Sequence, residues 1–201
     1  MSAATDPPDL ASHPLSQLLS AVFGTTVFAM TVTRKLPTPL TVVAGDRDEE
    51  PAMVFADDVA AGLAAARDAG HGRPVVHIEA MYVARSIGAL AHLTAGNPVD
   101  DGGAALVAVA AASGVETIAV VRVIGFTDGG FGIAPAVAVS PDAVRCLGGP
   151  DLVHLVECAA AGVGFGDAEP RGGQPVEVTR FAGEPLRSAL SIGYGDTDRD
   201  A

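Results

Sequence analysis

The chain has 201 residues, of which 49% are hydrophobic but only 4% aromatic, with no tryptophan. That length and composition suit one domain whose core is built from Ala, Val, Leu and Ile. Twenty-four acidic against twelve basic residues give a net charge of −12, which argues against nucleic acid or an anionic membrane as partner, because both repel such a chain.

In chain order, residues 1–13 form a polar leader with no basic residue, expected to be disordered and unlike a secretory signal. Residues 14–195 are expected to be a single α/β domain and 196–201 a disordered tail. No run reaches the roughly 18 apolar residues of a membrane span, so a cytoplasmic protein is expected. Residues 14–23 read as a short helix stopped by Gly24, and residues 25–33, rich in β-branched and aromatic side chains, as a strand. Residues 41–44 and 53–55 read as short strands around a charged loop at 45–51, best explained as a solvated turn.

The clearest helix covers residues 57–69, with Asp57 and Asp58 at its positive end and Gly70 as its stop. A strand is expected from Val75 to about Ala80. A helix should follow, because Met81, Arg85, Gly88, Ala89 and His92 recur at helical spacing. Residues 96–103 are a loop. Residues 115–126 and 131–139 form the best hairpin, turned at Asp128-Gly129, with the first run a central strand. Ser140-Pro141 starts a short helix that ends at Gly148-Gly149. Another helix covers residues 151–161, and residues 174–181 close the chain as an edge strand. The order of elements predicts an α/β domain, a layered mixed sheet with flanking helices.

Two blocks, residues 57–80 and 101–126, carry a likeness to a known family. The first is an Ala-rich helix ending at a glycine, followed by a strand with Glu79-Ala80. The second is the turn Asp101-Gly102-Gly103-Ala104-Ala105 and the two strands after it. Together they resemble the thiolase-fold condensing enzymes, the β-ketoacyl synthases. In that family a nucleophilic Cys opens the Ala-rich helix, where the dipole and backbone amides activate it. This chain has Phe55-Ala56-Asp57-Asp58 there, and a carboxylate cannot form the acyl thioester. A His-Gly-Thr-Gly type motif is also missing, and 201 residues hold only half of that duplicated fold. The resemblance therefore implies a half-length, non-catalytic accessory subunit of acyl-chain or polyketide metabolism, like a chain-length factor. Such a subunit would pair with itself as a homodimer or with a larger condensing enzyme. A second likeness, of Gly70-His71-Gly72-Arg73 and Ile78-Glu79-Ala80-Met81, is to hotdog-fold acyl dehydratases, which implies an α+β hotdog with His71 and Glu79 as acid and base. Its spacing is shorter than that family uses.

Read from the residues themselves, His77 and Glu79 lie two apart and would share one face of a strand, within reach of acid-base work or a metal. Arg122 is a lone cation in an apolar strand and calls for a partner such as Glu79 or Glu116. The candidate catalytic set is therefore His77, Glu79 and Arg122, with His71 from its loop. It would serve a small stand-alone lyase, cyclase or dehydratase acting on an anionic metabolite or an acyl thioester. His154, Glu157 and Cys158 share a helix face at metal-ligand spacing but have no second ligand pair, so a structural role is expected, with no cofactor and no metal. The glycines at 162, 164 and 166 follow a helix, where a phosphate loop would precede one.

Overall fold

The computed structural model describes residues 10–45, 50–70, 72–83, 103–127, 130–133, 135–145, 151–170 and 175–180. Its elements, in order, are α1 (Ser16–Thr33), β1 (Leu40–Val43), β2 (Ala52–Phe55), α2 (Val59–Gly70), β3 (Val75–Val83) and β4 (Gly103–Ala112). There follow β5 (Val115–Thr127), β6 (Gly130–Ile133), β7 (Val137–Val139), α3 (Pro141–Arg145), α4 (Leu152–Ala161) and β8 (Glu177–Arg180).

The strands form one open sheet in the order β6-β5-β4-β3-β1-β2-β8, with β7 also paired to β5. Every pairing among them is antiparallel. The domain is therefore α+β in layers, and the mixed sheet is corrected. One strand-helix-strand unit survives as β2-α2-β3, but β1 is inserted antiparallel between its two strands. Elsewhere short turns decide the direction. Ser113-Gly114 joins β4 to β5, and the positive φ of Gly114, 73°, suits a turn that other residues resist.

Side-chain alternation separates two cores. On one face Val75, Val107, Val109, Val121, Val43 and Val54 pack under α2 and α4, with Leu63, Leu155 and Val156. On the other, Val42, Val76, Ile78, Leu106, Ala108 and Ile124 meet Leu15, Leu18, Leu19, Val22, Phe23 and Met30 around α1. The central strand β4 is buried on both faces from Ala104 to Ala111. Its six alanines let helices approach closely from either side, which is how a chain so poor in aromatics still fills its core.

The largest departure from expectation is α1. Residues 25–33 continue the helix instead of forming a strand, and Gly24 lies within it at the usual cost of about 1 kcal/mol. The hydroxyls of Thr25, Thr26, Thr31 and Thr33 each donate to the carbonyl four residues back, at 2.8–2.9 Å. Each threonine is satisfied inside the helix, so β-branching does not decide the outcome. Leu18, Leu19, Val22, Phe23, Thr26 and Met30 then form the buried seam. With 18 residues and mean hydropathy 1.3, α1 is long and apolar enough to cross a membrane, although a third of it is buried here. By length and mean composition alone, this helix qualifies where no run of about 18 apolar residues was expected.

The expected helix after Ala80 is corrected at its start, since residues 81–83 are still on β3; its positions from 84 onward lie outside the described residues. The hairpin partner of β5 is split into β6 and β7, and its turn at 128–129 is likewise outside them. The remaining helices begin as expected. Asp58 Oδ1 accepts from the Ala61 N–H at 2.9 Å, Ser140 Oγ from Ala143 at 3.3 Å, and Asp151 Oδ1 from His154 at 3.0 Å. Asp58, not Asp57, therefore caps α2. Asp58→Ala should lower stability by about 0.5–2 kcal/mol, whereas Asp57→Ala should leave the urea midpoint almost unchanged.

Candidate functional site

The strand β3 places His77 and Glu79 on the face beneath α2 and α4, with Thr41 of β1 and Val109 of β4 beside His77. His77 is 1% exposed, and its Nδ1 shares a hydrogen bond of 2.9 Å with Thr41 Oγ1 while its Nε2 has no partner. Burial holds the imidazole neutral, with its pKa lowered to about 3. Burial also pushes the Glu79 carboxyl up to about 7, since it has no ion pair among the described residues. Neither residue lines any described cavity.

Arg122 points the other way. It pairs across the sheet with Leu106, between Val121 and Val123 of the opposite core, and its guanidinium lies 5.9 Å from the Phe23 ring of α1. Strand alternation thus separates Arg122 from His77 and Glu79 by the thickness of the sheet. Glu79 cannot be its partner, and the three do not converge on one pocket. His71 lies outside the described residues, as does Cys146.

The helix trio resolves into structural contacts. Cys158 Sγ lies 3.6 Å from His154 Nε2, but Glu157 turns to Thr117, whose hydroxyl donates to it at 2.7 Å, and to Arg145 at 3.8 Å. Burial, followed by the Glu157 charge, pushes the Cys158 thiol up, the opposite of what a nucleophile needs. Among the described residues no group of three His, Cys, Asp or Glu side chains could hold a metal. The glycine-rich stretch after α4 closes that helix, with Gly162 in the left-handed region at φ 71°. Beyond it, Glu169 accepts from the Phe165 N–H and pairs with Arg67 at 2.8 Å, which lies over the Phe165 ring.

The feature the sequence did not reveal is a groove of about 420 Å³ between α1 and the strands β1 and β2. That volume falls in the range of small-molecule sites, about 300–1,000 Å³. Ala21, Thr25, Ala29 and Met30 form its helical wall, Leu40, Val42, Met53 and Phe55 its floor, and Lys35 to Thr38 its end. Thr25, Thr26 and Thr33 also line it, but their hydroxyls are spent on helix carbonyls, so the lining along the helix is effectively apolar and its polar groups, Lys35 and Thr38, lie at the end. It follows α1 from Ala21 to Thr33, roughly 18 Å at 1.5 Å per residue. Phe28 and Val32, 70% and 65% exposed, extend the apolar surface past its lip. No family model, curated protein or solved structure matches the chain. The groove is therefore read from its own chemistry. A long apolar trough with a single charged residue among those lining it can hold a hydrocarbon chain.

Proposed function

We propose that the protein is a non-catalytic accessory protein of acyl-chain or polyketide metabolism that holds an acyl chain in the groove beside α1. The carrying observation is the shape and lining of that groove, in which the hydroxyls of Thr25, Thr26 and Thr33 are already bonded to helix carbonyls. Residues 57–80 and 101–126, through their resemblance to β-ketoacyl synthases, supply the metabolic setting. In this reading the partner is a second copy or a larger condensing enzyme. The thiolase-like frame rests on those blocks alone, since the antiparallel sheet differs from the mixed one that frame brings. The hotdog frame puts Glu79 on a helix, and Glu79 stands on β3. The stand-alone lyase or dehydratase is set aside, because Arg122 lies across the sheet from His77 and Glu79.

Ala29 is exposed on the groove's helical wall, so Ala29→Phe fills the trough without entering the core. Titration calorimetry with decanoate and with decanol should show binding of both to the native chain. The variant should weaken both at least about tenfold, a difference of ~1.4 kcal/mol, with an unchanged melting temperature. Failure of the native protein to bind either chain would remove this reading.

A further inference from the structure

The end of the groove is its only charged part. Arg34, the C-cap of α1, adopts a left-handed conformation at φ 58°, with its N–H donating to the Met30 carbonyl at 2.8 Å. That turn stops the helix and carries Lys35, Leu36, Pro37 and Thr38 across the groove's end. Lys35 is the single lysine of the chain and the one charged residue of this wall. Arg34 and Lys35 are both exposed, and neither has an ion-pair partner among the described residues. Three other arginines are engaged: Arg67 with Asp68 and Glu169, Arg145 with Asp142 and Asp151, and Arg73 with the carbonyls that end α2; Arg180, exposed on β8, has no ion pair among the described residues but does not line the groove.

In a chain of net charge −12, two adjacent cations with no ion pair among the described residues, at the mouth of an apolar trough, form a local positive spot. Among the described residues, none of those lining the groove is acidic. We propose that the groove selects acyl chains bearing an anionic head, a carboxylate or phosphate. The head sits at Lys35 beside Arg34, and the tail runs along α1 towards Ala21. This rests on the acyl-chain reading above and adds to it the charge and orientation of the ligand. The head is exposed to water at the groove's end, so its contribution is modest and screened by salt. Burial of the tail supplies most of the affinity.

Calorimetric titration with decanoate, decanol and decyltrimethylammonium at low ionic strength separates the two ideas. Decanoate should bind about threefold to fivefold more tightly than the other two ligands, and added salt should narrow that gap. Lys35→Glu should erase the preference for decanoate over decanol, and Lys35→Arg should retain it. Equal affinity for the three ligands, still sensitive to Ala29→Phe, would overturn the head-group proposal and leave the acyl-chain reading standing. Absence of binding for all three would overturn both. A lipid head group is the other source of this chemistry. Sedimentation with phosphatidylglycerol vesicles, lost in Lys35→Glu, together with no binding of free decanoate, would overturn selection of soluble acyl anions.

Discussion

Leu63→Ala should lower the unfolding free energy by about 2–5 kcal/mol, while Phe28→Ala should change it by less than about 0.5 kcal/mol. Leu63 is fully buried on α2, in the same core as Val43, Val54, Val156 and Leu155. Its removal leaves a cavity between a helix and two strands that cannot close, because β1 and β2 are fixed by their ladder. Gly70 on the same helix indicates how close that packing is: a Cβ there would stand 2.9 Å from Val43 Cγ1. Phe28 is the larger side chain but is 70% exposed, so little apolar area returns to water when it is lost. Urea midpoints at constant slope measure both. If Phe28→Ala were to destabilise the protein strongly, and more so at high protein concentration, α1 would be covered by a second copy in solution.

These contrasts also explain what could be read from the sequence. The helix α2 and the strand after it were legible because Asp58, an alanine-rich middle and Gly70 agree with one another and with the apolar run that follows. The cap Ser140 and the helix at 151–161 were equally clear, as was the edge strand β8, whose charged residues tolerate solvent. The strand assignment at 25–33 failed because β propensity was allowed to outweigh a seam of apolar residues spaced by three and four. That seam was interrupted in the sequence by Gly24, which the helix absorbs. Ser113-Gly114 was a visible hairpin signal between two apolar runs, and with it the antiparallel pairing of β4 and β5 follows. The candidate site was the least legible part. Its lining comes from α1, β1 and β2, and it exists only because one helix covers one face of a wide sheet. His77 and Glu79 shared a face as spacing requires, but parity alone places Arg122 opposite them once the registers β3-β4 and β4-β5 are fixed.

Glu79→Gln should stabilise the protein above about pH 7 by on the order of 3 kcal/mol and change little below about pH 4.5. Burial raises the Glu79 carboxyl from 4.5 to about 7 in the folded chain, so between those values the folded state holds a proton that the unfolded state has released. Stability therefore falls as pH rises through that window, at up to ~1.4 kcal/mol per pH unit. His77 acts in the opposite sense. Its folded value near 3 lies below the ordinary 6.5, so the unfolded chain binds the extra proton and stability falls as pH drops from 6.5 towards 3. Where the two windows overlap, between about pH 4.5 and 6.5, the slopes oppose each other and the native profile should be nearly flat. Glutamine keeps the size and the neutral form of the side chain but abolishes its titration. The variant should then show the His77 slope alone, climbing to about pH 6.5 and level beyond it. Urea unfolding at about pH 4, 5.5 and 8 reads the difference directly. A gain at pH 8 no larger than at pH 4 would mean that Glu79 is ionised in the folded protein and reaches water or a cation.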